Sequence, residues 1–106
     1  MSRALLTALL IGVAVPALAQ ESKVSIAIRD TGFVPAEISV PSGTKIELSI
    51  SNEQQRAAEF ESRALRREKV IPPGATGTVY VGPLQPGRYE FFDDFQPNNR
   101  GFLVAK

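Results

Sequence analysis

Apolar residues alternate with polar residues in short runs along this chain, and this alternation limits the possible folds more than any other feature. In the run 23–30 every second residue from Val24 to Ile28 is apolar, and in the run 45–52 the same holds from Ile46 to Ile50. A period of two is that of a β-strand with one buried face, whereas a helix repeats every 3.6 residues. The pattern therefore predicts an all-β fold.

Turn signals separate these runs. Residues 41–44 (PSGT) combine proline with glycine, and residues 82–87 (GPLQPG) are expected to form a rigid, hairpin-like connection. The polar segments 53–58 and 94–101 are predicted to be loops. About seven short strands remain, as in a Greek-key sandwich. We therefore predict one all-β domain, a Greek-key β-sandwich of about seven strands.

The first nineteen residues have the pattern of a cleavable signal peptide. Arg3 precedes an apolar run, residues 4–15, and a small-x-small motif, ALA, ends the segment. The run is shorter than the about 20 residues that span a bilayer; an uncleaved membrane anchor is the alternative. We expect cleavage before Gln20, export to a bacterial periplasm, and a mature domain of residues 20–106.

The side chains that the mature chain lacks restrict its chemistry. It has no cysteine and no histidine. It also has no methionine, because the one methionine of the sequence, Met1, belongs to the signal segment. The usual ligands of Cu(I), structural zinc and haem are therefore missing, and oxygen ligands for hard ions such as Fe(III), Mn, Mg or Ca remain. Most nucleophile-and-base pairs are missing too, so we do not expect an enzyme. Without Arg3 the chain has eleven basic and eleven acidic residues, a balance that does not predict a nucleic-acid surface.

Several segments, in their order along the chain, resemble those of the cupredoxin family. GFVPAEISVPSGT resembles the family's Gly-Phe-x-Pro strand and the turn after it, and LQPGRYEFF resembles its Pro-Gly-x-Tyr-x-Phe strand. The ending GFLVAK resembles the family's last strand. The resemblance covers essentially the whole mature chain, and it implies a cupredoxin-like fold.

The copper ligands of that family are missing at the matching positions. The cysteine position falls on Asp93, the two histidine positions on Ala58 and Gln96, and the methionine position near Asn99. A blue-copper site with two histidines and one cysteine cannot be built from these residues. The resemblance thus implies the fold without type 1 copper, and copper is not the expected cofactor.

A narrower resemblance points to iron. AEFESRALRREKVIPPG and PLQPGRYEFFDDFQP resemble the acidic cupredoxin-like proteins that accompany bacterial iron permeases, and also the cupredoxin-like domain of periplasmic ferrous-iron uptake components. The resemblance implies iron binding and delivery to an inner-membrane iron permease or another periplasmic iron-uptake protein. The metal ligands that it implies are Glu59, Glu61, Glu68, Asp93 and Asp94.

Each of these acids also has an ordinary interpretation. Glu59 and Glu61 share one face of a strand, which alone is typical of a solvated edge. Glu68 lies among basic neighbours, with which it could form surface ion pairs. Asp93 shares a strand face with apolar neighbours, where it either holds a cation or accepts backbone N–H bonds from the NNRG turn. By strand parity, Glu59 and Asp93 are expected to face different ways.

A second function belongs to another class: a metal-free cupredoxin-fold module for protein interaction. Its docking surface would consist of Asn52 to Arg56 and of Arg63 to Lys69. The arrangement of the acids in space discriminates between the two functions. Three or more carboxyl groups that converge within a few ångströms favour a metal, whereas acids that each pair with an arginine or a backbone N–H favour the module.

Overall fold

The computed structural model describes residues 21–106, which form two β-sheets. The all-β sandwich is thereby confirmed, with nine strands rather than about seven. The strands are β1 (Glu21–Arg29), β2 (Gly32–Val34), β3 (Glu37–Val40), β4 (Lys45–Asn52), β5 (Ala58–Ser62), β6 (Arg67–Ile71), β7 (Thr76–Val81), β8 (Gly87–Asp93) and β9 (Gln96–Ala105). The predicted signal peptide, residues 1–19, lies outside the described residues. In the described part of the chain, no helix is long and apolar enough to cross a membrane.

The chain crosses repeatedly between the two sheets. The first sheet has the strand order β2-β1-β4-β7 and the second has β3-β9-β8-β5-β6. The pairs β1–β4 and β3–β9 are parallel. Residues 82–87 connect β7 in the first sheet to β8 in the second, so the prediction of a hairpin-like connection there is wrong. Proline and glycine mark a change of direction, but they do not specify which sheet the next strand joins.

The core lies between the sheets and follows the predicted alternation. Ile46, Leu48 and Ile50 of β4 are fully buried, and burying a side chain of this size is worth about 1.5–3 kcal/mol. The ring of Phe91 lies between two others, with its centroid 4.8 Å from that of Phe33 and 5.2 Å from that of Phe60. The contact between Phe60 and Phe91 holds β5 beside β8. The acidic residues Glu59, Glu61 and Asp93 lie on these two strands.

The predicted loop 94–101 is mostly strand. β8 ends at Asp93, a two-residue turn follows, and β9 begins at Gln96. The register then shifts, because Asp93 pairs with Gln96 while Phe92 pairs with Arg100. Residues 97–99 therefore bulge out of the ladder. The tight turn holds Asp94 next to β5. The predicted loop of eight residues would not have fixed Asp94 at that position.

Candidate metal centre

Three carboxylates converge on the outer face of the second sheet. Glu59 and Glu61 point outward from β5, where the residues on either side of them are buried, and Asp94 lies in the turn between β8 and β9. One carboxylate oxygen of each lies within 4.8 Å of the other two. We call these three residues the carboxylate cluster. The backbone holds it together, since the N–H of Asp94 donates to the carbonyl oxygen of Glu59 at 2.9 Å.

Glu68 borders the carboxylate cluster without belonging to it. It lies on β6 directly opposite Glu61, a position in which Cβ atoms are about 4.5–5.5 Å apart. Within residues 21–106, neither Glu68 nor any member of the cluster forms an ion pair with a lysine or arginine. The ion pairs of this sheet lie elsewhere, Arg88 with Glu37 and Arg100 with Glu90. The predicted alternative, that Glu68 pairs with its basic neighbours, is not found there.

The unneutralised charges act on Glu59. Partial removal of this half-buried carboxylate from water raises its pKa above the usual 4.5, and repulsion from Asp94, Glu68, Glu61 and Asp93 raises the pKa further. Carboxylates that repel one another and form no ion pair with a lysine or arginine destabilise the folded protein. A bound cation would attract these carboxylates, so that they would stabilise the folded protein instead.

We therefore expect that Glu59→Gln stabilises the metal-free protein at pH 7. Because the folded pKa of Glu59 is raised, the destabilisation is fully present above that pKa and is lost as the pH falls through it towards the unfolded value of 4.5. In chelator, the melting temperature of Glu59→Gln should exceed that of wild type at pH 7, and the two should converge below about pH 4. Glu53→Gln, which removes the partner of Arg29, should instead lower the melting temperature slightly at pH 7. A Glu59→Gln protein that melts below wild type at pH 7 would contradict the expected repulsion.

Asp93 faces the interior, opposite in direction to Glu59 as strand parity predicts. Its side chain is fully buried, and its Oδ1 accepts the backbone N–H groups of Glu59 and Phe95, each at 3.0 Å. These donors lie in β5 and in the tight turn, not in the NNRG segment that the sequence suggested. Oδ2 is buried and has no hydrogen-bond partner among the described residues. Asp93 therefore lies outside the carboxylate cluster, but it ties together the two segments that carry it.

A chain of side-chain amides occupies the same end of the sandwich. Asn99 donates to Gln96 at 3.5 Å, Gln96 to Gln54 at 3.4 Å, and Gln54 to Asn52 at 3.2 Å. Asn52 also donates to the carbonyl oxygens of Arg56 and Ile71. The sequence did not predict this network, although Asn52 occupies the next inward-facing position of β4. The positions that match copper ligands thus carry two amides, one carboxylate and, at Ala58, no side-chain donor, and this set does not fit type 1 copper.

Comparison with known proteins agrees with this architecture. An uncharacterized protein of Rickettsia prowazekii (strain Madrid E) is 43% identical over 84 residues, which cover 78% of this chain and 67% of that protein. The metal-binding domain of the Cu(I)-exporting P-type ATPase CopA of Streptococcus pneumoniae, solved with Cu(I), has a TM-score of 0.72 at 16% identity, covering 84% of this chain and 98% of that one. A purple cupredoxin from Nitrosopumilus maritimus has a TM-score of 0.63 at 14% identity, covering 77% and 98%.

At these identities the two solved structures establish a shared fold and nothing further. The family assignment rests on a broader match, since residues 2–105 fit the family model of the cupredoxin-like domain. The chain therefore belongs to the cupredoxin-like domain family.

Proposed function

We propose that this protein is a periplasmic metal-binding accessory of bacterial iron uptake, which holds or hands on iron through carboxylates. The observation that carries the proposal is the convergence of Glu59, Glu61 and Asp94 within 4.8 Å. With no cysteine or histidine in the chain, these are ligands for a hard ion such as Fe(III). The signal-like segment 1–19 supports export, and the acidic strand segments support the link to iron uptake.

The span of the carboxylate cluster suits one ion. Oxygen ligands lie about 2.0–2.6 Å from hard divalent ions, so two oxygens on opposite sides of one ion are about 4.0–5.2 Å apart. The 4.8 Å span of the cluster falls within this range. Only one pair of three oxygens can lie on opposite sides of an ion, so rotation of the carboxylate side chains would bring the third oxygen into contact.

The exposure of the cluster suits transfer better than storage. Asp94 is exposed, and Glu59 and Glu61 are half-buried. Hard ions take about six or more oxygen ligands, so three carboxylates contributing one oxygen each leave positions open on the solvent side. A partner such as an iron permease could offer ligands at these open positions and draw the ion away.

Calorimetric titration tests the proposal. Mn(II), Fe(II) and chelated Fe(III) are titrated into wild type and into a Glu61→Gln/Asp94→Asn double variant. We expect saturable binding to wild type and a loss of about 100-fold or more in affinity for the double variant, which is tenfold or 1.4 kcal/mol for each lost ligand. The matched control is Asp30→Asn/Glu53→Gln, which removes the same charge from exposed acids that pair with Arg56 and Arg29.

The control variant should bind metal as wild type does. Equal weakening in both variants would mean that net charge, not the cluster, attracts the ion. Binding to neither wild type nor variants would favour the metal-free interaction module. One observation supports that rival: Phe95, at the tip of the turn, is 51% exposed. Asn52 and Gln54 are buried, so the docking loop 52–56 would have to act through its other residues.

A further inference from the structure

A cavity of about 400 Å³ adjoins the carboxylate cluster on the outer face of the second sheet. Asp94 belongs to both, so the cavity opens beside the proposed ion. Phe92, only 7% exposed, forms part of its wall. The guanidinium carbons of Arg63 and Arg100 lie 5.8 Å and 4.9 Å from the centroid of that ring. We call this the arginine cavity.

The charges that line the arginine cavity balance, but the adjoining carboxylate cluster makes the region negative while no metal is bound. Two cations, Arg63 and Arg100, face two anions, Glu90 and Asp94. Arg100 pairs with Glu90, whereas Arg63 has no ion-pair partner within residues 21–106. Counted with the two glutamates of the carboxylate cluster, which share the ion with Asp94, these groups carry a net charge of −2, which a divalent ion raises to zero and Fe(III) to +1. The bound ion thus removes the negative charge that would repel an anion from the guanidinium of Arg63.

We propose that the ion bound by the carboxylate cluster carries a small multivalent oxyanion, a di- or tricarboxylate or phosphate, which lies in the arginine cavity. The protein would thus take iron as a chelate rather than as the bare ion. This inference rests on the proposed function, because the anion completes the coordination of that same ion. Guanidinium groups match carboxylate and phosphate through paired hydrogen bonds.

The volume of the arginine cavity and the expected coupling between metal and anion binding both support this assignment. Small-molecule sites commonly enclose about 300–1,000 Å³, and the cavity lies at the lower end of that range. The three carboxylates leave positions on the ion for anion oxygens. Because the ion cancels the negative charge beside the cavity and offers coordination positions to the anion, metal and anion should raise each other's affinity by the same factor, about 5-fold or more. The anion without metal should bind poorly.

Native mass spectrometry of the protein, purified after expression of the full chain, tests the inference. The additions are Mn(II) alone, citrate alone, phosphate alone, ferric citrate, and Mn(II) with phosphate. We expect a protein–Mn(II) species and a ternary species of protein, metal and anion, but no binary species with an anion. The citrate and phosphate arms decide which oxyanion is preferred.

Two variants test whether the anion binds in the arginine cavity. Arg63→Gln and Arg100→Gln should each lower the occupancy of the ternary species about 5-fold or more, while protein–Mn(II) stays at the wild-type level. The matched control is Arg88→Gln. Arg88 also stacks on a ring, that of Phe102 at 3.9 Å, and also pairs with a glutamate, Glu37, but it does not line the arginine cavity. It should leave the ternary species unchanged.

The outcomes separate this inference from the proposed function. Mn(II) binding with no ternary species, or a ternary species that persists in both arginine variants, overturns the inference and leaves the proposed function standing. Anion that binds as well to metal-free protein also overturns it, because the anion would then not be a ligand of the metal. Loss of all metal binding overturns both.

Discussion

Gly101→Ala lowers the free energy of unfolding by about 3 kcal/mol, the upper end of the range for an overpacked core. Gly101 lies on β9 directly opposite Phe91 of β8. A Cβ atom there would lie 2.4 Å from Cζ of Phe91 and 2.8 Å from the carbonyl oxygen of Ala36. The ring cannot retreat, because Phe33 and Phe60 pack against it. The backbone cannot retreat freely either, because the carbonyl oxygen of Ala36 accepts the N–H of the next residue, Phe102, at 2.8 Å.

Equilibrium denaturation in urea measures this loss, and Gly87→Ala is its control. Gly87 begins β8, is exposed, and would place a Cβ atom no closer than 3.6 Å to any neighbour. Its substitution should change the free energy of unfolding by less than about 0.5 kcal/mol. Phe91→Leu should recover part of the loss in the double variant with Gly101→Ala, since it removes the clashing atoms. Equal stability of the two alanine variants would show that β9 moves aside.

Strand parity predicted most of the fold because the alternation of apolar residues reports burial directly. Ile46 and Ile50 are fully buried, as their positions in the run 45–52 require. Parity carries no information about which strands become neighbours. Residues 82–87 have the composition of a hairpin, yet the strand that follows pairs with β9 and β5 in the other sheet. That choice depends on long-range contacts, which local composition does not record.

The candidate site was predictable to the same extent as the fold. Parity alone placed Glu59 and Glu61 on one face and Asp93 on the other. Parity also puts Asp94 on the face opposite Asp93. It could not show that Asp94 reaches Glu59 and Glu61, because that approach depends on a turn of two residues where the polar segment 94–101 predicted a loop. It also could not show that the arginines near Glu68 leave it unpaired, since pairing depends on where long side chains extend in space.

Asp93→Ala lowers the free energy of unfolding by about 2–3 kcal/mol. The substitution leaves the backbone N–H groups of Glu59 and Phe95 without their acceptor, and an unsatisfied buried donor costs about 1–3 kcal/mol. Part of this cost is offset, because the variant no longer buries Oδ2, an oxygen with no partner among the described residues. Asp93→Asn keeps an acceptor at Oδ1 and should lose less. Denaturation in urea, with chelator present, measures both.

Metal binding by these two variants then separates positioning from coordination. Asp93 holds Glu59 and the turn that carries Asp94, so Asp93→Ala should weaken Mn(II) binding by disturbing the carboxylate cluster. Asp93→Asn preserves the hydrogen bonds at Oδ1, and it should therefore bind Mn(II) nearly as wild type does. If Asp93 were instead a ligand through the buried Oδ2, asparagine would remove that charge and weaken binding as much as alanine does. Calorimetry on folded Asp93→Asn thus decides whether β8 ends on an acid to hold the turn or to hold the ion.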